Sequence, residues 1–177
     1  PMLRSFADLL AESRSQGVPW LYEYSQHVLP KPSDWDAQQY VTGYWFLDAP
    51  PDWQPPSDLL HFLSSGPPPI YVGFGSMGHG DPAHHTQLVL RALKLSGQRG
   101  VLLTGWGGLT TQTSSSSVFF VENIPHHWLF PHMAAVVHHG GAGTTGAGLQ
   151  SGVPNLITPF GPGDQSAWAE CVARLGV

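Results

Sequence analysis

One stretch constrains this chain more than any other: Ala134–Gly152, AAVVHHGGAGTTGAGLQSG. It opens on a short apolar run ending in two valines, strand-like in length and branching. It passes through His138, His139, Gly140 and Gly141, then reads as a helix that stops at Gly152, a residue type suited to a helix C-terminus. Strand, glycine turn and helix in that order aim backbone N–H groups and the positive end of a helix dipole at one point. Glycines let a bulky anion approach the main chain, Thr144 and Thr145 add hydroxyls, and the His139 imidazole ends the strand with one more donor. His138 faces the other side of the pleat and is expected to pack against a neighbouring helix. A diphosphate suits such a site. Gly141-Ala-Gly143-Thr-Thr-Gly146 also has dinucleotide-fingerprint spacing, a pattern that a tight packing turn can equally produce.

The surrounding sequence supplies partners for that strand. Ile70–Phe74, Val101–Thr104 and Val118–Val121 are strand-like, Ala134–Val137 is the fourth run, and Asn155–Thr158 reads as a buried fifth strand. Asp81-Pro82 caps a helix with Leu88, Val89, Ala92 and Leu93 on one face, ending near Gly97. Asp164 is placed to cap a last helix carrying Trp168, Cys171, Val172 and Leu175 on one stripe. Strands alternating with helices imply right-handed crossovers and a doubly wound α/β parallel sheet. Ligands of such sheets gather at the strands' carboxyl ends. Those ends carry Gly75-Ser76, Glu122-Asn123-Ile124-Pro125, His139-Gly140-Gly141, and Phe160 through Asp164 and Gln165. A carboxylate beside an amide can grip two adjacent sugar hydroxyls.

Upstream, a helical face ends at Gly17, and Pro19–Ser25 and Tyr40–Leu47 read as extended. Asp48–Ser57, DAPPDWQPPS, holds four prolines and reads as a linker. Residues 1–56 are thus expected to precede a main domain spanning 57–177. The initial proline suggests a piece of a longer or processed chain, and no signal peptide is visible at the start.

Several functions are disfavoured. A net charge of −5 without a basic cluster argues against a nucleic-acid partner. No run approaches the roughly 20 apolar residues of a membrane span. The single cysteine, Cys171, excludes an internal disulfide and fits a reducing compartment. The pairs His84-His85, His126-His127 and His138-His139 lack zinc-site spacing, so no metal is expected. Phe74 stands where a serine-hydrolase elbow needs glycine, and no glycine loop ends in Gly-Lys-Ser/Thr. A nicotinamide-binding domain would carry an acid after its second strand, yet none lies between Pro82 and Val121.

Four segments carry a resemblance: VGFGSM (Val72–Met77), VENIPHHWLFP (Val121–Pro131), HHGGAGTTGAGLQSGVPNLITPF (His138–Phe160) and GDQSAW (Gly163–Trp168). In them the chain resembles the C-terminal, nucleotide-sugar-binding half of family 1 GT-B glycosyltransferases of the sterol 3-beta-glucosyltransferase-like kind. The resemblance covers nearly the whole chain and implies a Rossmann-like C-terminal domain of a GT-B fold. It implies that His139, Gly141, Gly143, Thr144 and Thr145 hold the donor's diphosphate, with Ser76 assisting. Asn123, Ile124 and His126 would meet the base, largely through backbone groups, and Asp164 and Gln165 would hold the sugar. The implied reaction is inverting transfer of glucose from UDP-glucose to a sterol or similar lipid hydroxyl, with no metal or other cofactor. Donors around the diphosphate would stabilise the charge it develops on leaving.

The resemblance further implies a cytoplasmic protein whose lipid acceptor, bound by a separate N-terminal domain, brings it to a membrane surface as a peripheral protein. Three departures stand out. Ala147 replaces the glutamate of many plant relatives. The usual PFFGDQ is one residue longer here, Pro159-Phe-Gly-Pro-Gly-Asp164-Gln165. The family's catalytic base is a histidine of the N-terminal domain, to which none of the ten histidines corresponds, so no base is assigned. A nucleotide-sugar-binding module without transferase activity, and a UDP-sugar epimerase of GT-B fold, are the alternative readings.

Overall fold

The computed structural model describes residues 5–75, 80–105, 108–161 and 163–177, the side chain of Phe6 excepted. They fall into two units, Pro1–Trp45 and Phe46–Val177.

In the first unit, helix α1 (Phe6–Ser15) starts at a capping box. The Ser5 hydroxyl accepts from the Asp8 N–H while the Asp8 carboxylate accepts from the Ser5 N–H, so two otherwise orphaned donors are satisfied. Strands β1 (Trp20–Tyr22) and β2 (Gln39–Val41) pair in parallel. The Trp20 indole donates to Ser13 at 2.8 Å, and Tyr22 lies against Trp35 with ring centroids 4.1 Å apart.

The second unit is built on five parallel strands: β3 (Ile70–Gly73), β4 (Gly100–Leu103), β5 (Val118–Val121), β6 (Ala135–His138) and β7 (Asn155–Ile157). Their spatial order is β5-β4-β3-β6-β7. The chain reverses its direction of travel across the sheet between β3 and β6, and that switch opens a crevice at their carboxyl ends. Tyr71, Val101, Phe119 and Val136 share one face. They pack under helix α2 (Ser57–Ser64), the short α4 (His126–Leu129) with the 3-10 turn Phe130–His132, and α5 (Ala142–Ser151). Val72, Leu102 and Phe120 share the other face under α3 (Pro82–Ser96). The last helix is α6 (Gln165–Leu175).

The expected doubly wound sheet is therefore present, with local corrections. The proline-rich stretch belongs to the second unit, since Trp53 meets Trp128 edge-on at 5.4 Å and the Ala49 N–H donates to His127 Nε2. Strand β6 runs one residue later than the apolar run suggests, because the bond to its neighbours continues through His138 paired with Gly73. Strand β7 is an edge strand, not a buried one, and Leu156 is 58% exposed. Leu88 is also exposed, and α3 packs instead through Val89, Leu90 and Leu93. Asp81 does cap α3, accepting from the N–H groups of Ala83 and His84. Asp164 makes no such cap; its carboxylate instead accepts from the Trp168 indole at 2.9 Å.

Candidate functional site

The crevice is built from the turn that follows β6. Gly141 occupies the N-cap of α5 without any side-chain cap. The first helical bond runs from the Thr145 N–H to the Gly141 carbonyl, so the N–H groups of Ala142, Gly143 and Thr144 have no carbonyl within the helix to meet. A helix opening with free amides and the positive end of its dipole attracts an anion. Gly143 is exposed and nothing stands where its Cβ would be.

His139 flanks those amides. Its ring lies between two glycines: a Cβ on Gly75 would stand 2.6 Å from Cε1, and one on Gly141 2.6 Å from Nε2. Gly75, at φ +65°, adopts a backbone that suits glycine and also leaves the imidazole its space. Nδ1 of His139 is buried without a hydrogen-bond partner among the described residues. Burial holds its pKa below the ordinary value, and the Asp164 carboxylate acts in the opposite direction. The ring is therefore neutral near neutral pH, with one nitrogen carrying a proton to donate. The Asp164 carboxylate and the His139 imidazole thus share one electrostatic neighbourhood.

The Pro159–Gln165 loop is pinned to the same crevice by contacts that no motif signals. Phe160, just after β7, meets Phe74 edge-on with ring centroids 4.6 Å apart and also meets the His85 ring at 5.5 Å. The Phe160 N–H donates to Gln165 Oε1 at 2.9 Å.

The remaining expected residues divide by what their side chains already do. Thr145 is fully buried and its hydroxyl donates to the Gly141 carbonyl at 2.9 Å, so its single proton is engaged within the helix. A ligand at the turn would meet this hydroxyl only if that bond were given up. The Thr144 hydroxyl makes no hydrogen bond among the described residues and is half-buried. Gln165 is buried with its carbonyl oxygen committed to Phe160, which leaves only its amide N–H groups for a sugar. Asp164 is exposed and keeps one carboxylate oxygen free of the Trp168 bond.

On the β5 side Asn123 is exposed, while Ile124 is buried in the core. His126 turns inward: its Nε2 lies 3.2 Å from the Tyr71 hydroxyl, and its ring stacks on Phe130 at 4.5 Å. Burial, and secondarily His127, push its pKa down to about 4. A ligand meeting the 123–126 loop would thus find backbone groups and the Asn123 side chain, not the imidazole. Ser76 lies outside the described residues. Ala147 packs in the core.

The family described as "Erythromycin biosynthesis protein CIII-like, C-terminal domain" matches residues 109–177. Two curated relatives from Arabidopsis thaliana are Sterol 3-beta-glucosyltransferase UGT80A2, 43% identical over 94% of this chain, and Sterol 3-beta-glucosyltransferase UGT80B1, 46% identical over 90% of it. The chain spans about a quarter of those relatives' length, 26% of each. The calicheamicin glycosyltransferase CalG4 superposes on 96% of this chain and 44% of its own, with a TM-score of 0.66 at 20% identity. That likeness shows that the chain shares the α/β, Rossmann-like fold of the matching part of a GT-B glycosyltransferase.

Proposed function

We infer, for a chain that is sterol 3-beta-glucosyltransferase-like in sequence and GT-B in fold, that it is the donor-binding part of an inverting glycosyltransferase. The donor is UDP-glucose, and the acceptor of the whole enzyme is a sterol or similar lipid hydroxyl. The observation that carries the reading is the pairing of uncapped α5 amides with His139, whose ring occupies the gap between Gly75 and Gly141. Those are hydrogen-bond donors converging without a cation, which suits the two phosphates of a nucleotide sugar.

Within that reading His139, Gly141, Gly143 and Thr144 hold the diphosphate. Asn123 and the backbone from Ile124 to His126 meet the base, and Asp164 with the Gln165 amide grips glucose hydroxyls. The donors need not move as the bond to glucose breaks, so they favour the departing UDP as its charge grows. The acceptor and the base that deprotonates it come from elsewhere in the whole enzyme, which would work in the cytoplasm as a peripheral protein at a membrane. Among the described residues no helix is long and apolar enough to cross a membrane.

Calorimetric titration of the 177 residues with UDP, UDP-glucose and dTDP-glucose tests the reading. Binding of UDP and UDP-glucose is expected, unchanged by EDTA. A large loss of affinity on chelation would overturn the metal-free site, and absence of binding to all three would overturn the donor reading. By themselves the 177 residues are expected to give no sterol glucoside; multiple turnovers would contradict the division of labour.

A further inference from the structure

We propose that His138 is a positioning residue of the diphosphate site: its Nδ1 accepts the Gly140 N–H and so braces the turn from which His139 and the α5 amides face the ligand. The proposal rests on the donor-binding reading and gives a role to a side chain that never touches the donor.

His138 is fully buried on the Tyr71–Val136 face. Its Nδ1 lies 3.1 Å from the Gly140 nitrogen, a side chain of one residue capturing the N–H two residues on. Asx turns use the same reach to hold a bend. Gly140 needs holding. Its φ of +95° lies in the left-handed region, and its other side is closed: a Cβ there would stand 2.8 Å from Ile157 Cγ2 and 2.9 Å from the Gln165 carbonyl oxygen. The turn is thus confined by packing on one side and tied on the other by one hydrogen bond, just before the Gly141 N-cap.

The geometry also specifies the tautomer. An Nδ1 that accepts carries no proton, so the neutral ring bears it on Nε2. Nε2 of His138 and Oδ1 of Asn155 are both buried without a hydrogen-bond partner among the described residues. They stand on the same face of adjacent strands, since Asn155 pairs with Val136, two residues before His138. The Asn155 amide nitrogen donates to the Val153 carbonyl, which leaves Oδ1 as the atom available to the ring. Gly148 keeps that place open, because a Cβ on it would collide with Asn155 Oδ1. A donor and an acceptor therefore face one another in a space cleared of side chain, and their attraction favours the Nε2–H form.

Two substitutions separate bracing from packing. His138→Phe keeps the ring volume and removes the acceptor. His138→Asn loses volume but places an oxygen at the position of Nδ1. Two readouts apply to the 177-residue chain: hydrogen exchange of the Gly140 amide by NMR, and UDP affinity by calorimetry, each beside a thermal melt. His138→Phe is expected to exchange Gly140 faster and to raise the UDP Kd about tenfold, while melting above His138→Asn. His138→Asn is expected to keep Gly140 protected and to bind UDP within a few-fold of the parent despite its lower stability. Unchanged Gly140 exchange in His138→Phe, or affinities that follow the melting temperatures, would overturn the brace. A parent chain that binds no UDP would overturn the donor reading, and the exchange comparison would still decide the brace.

Discussion

The Tyr71 hydroxyl lies 3.2 Å from His126 Nε2, in the space that a side chain on Gly73 would fill. Gly73 follows Tyr71 by two residues on β3, so both face the same side of the sheet. The phenol folds over the glycine to reach the first residue of α4. Burial pushes its pKa upward, so it stays protonated and can donate to the ring. Gly73→Ala should displace the ring and cost roughly 1–3 kcal/mol, the usual range for overpacking a core. Tyr71→Phe should cost about 1–2 kcal/mol by leaving a buried imidazole nitrogen without its partner. The two effects share one cause, so urea unfolding of the double variant should lose less than the sum. Additive losses would show that the glycine is not there for the hydroxyl.

Stability should fall with acid well before the carboxylates titrate. Burial lowers the pKa of both His126 and His138 from 6.5 to about 4. For His138 the neighbouring His139 and His126 push the same way, and Asn155 opposes them. Between those two values the unfolded chain binds protons that the folded chain refuses, so stability rises with pH. It is complete above about pH 6.5 and drains as pH falls toward 4, by on the order of 1.4 kcal/mol per pH unit for each histidine. Urea midpoints measured at half-unit steps between pH 7 and 4.5 check this, and a flat profile down to pH 5 would contradict it.

At the proposed diphosphate site the three polar side chains should behave differently. His139→Ala removes one hydrogen bond to a charged group, worth roughly 1.5–3 kcal/mol, or about ten- to a hundredfold in UDP affinity. Thr144→Val should weaken UDP less, because the adjacent amides remain. Thr145→Val should act mainly on the melting temperature, since its hydroxyl already serves the Gly141 carbonyl. Calorimetry with thermal melts separates the three. If Thr145→Val loses more affinity than His139→Ala, the assignment of donors at the turn is wrong.

Asp164 and Gln165 should also part company. Under the proposed function, Asp164→Ala should reduce the preference for UDP-glucose over UDP while leaving UDP itself little changed, because one oxygen of the exposed carboxylate is engaged by Trp168 and the other is open to a sugar hydroxyl. Gln165→Ala removes the acceptor of the Phe160 N–H, so both ligands should weaken and the melting temperature should drop. Parallel titrations with UDP and UDP-glucose decide it. An unchanged ratio of the two affinities in Asp164→Ala would remove that residue from the sugar site.

Local chemistry governs the part of this fold that can be read from the order of its residues. Alternating apolar runs, the Asp81-Pro82 cap, the glycine stops and the HHGGAGTT turn each act within a few residues, so the parallel sheet and the place of the helix that opens without a side-chain cap were legible. The burial of His138 was legible too, because it continues the inward alternation of Val136 on the same strand. How individual polar groups are used depends instead on contacts between distant segments. The His126 ring goes to Tyr71, Thr145 to its own helix, Gln165 to Phe160, and the Nδ1 of His138 to Gly140. Even the His138 bond, only two residues long, depends on burial, on Asn155 from the next strand and on the walls of Ile157 and Gln165. A short pattern states which groups a turn can offer. A donor or acceptor is left for a ligand only if no neighbour brought in by the fold has taken it, and those neighbours lie tens of residues away along the chain.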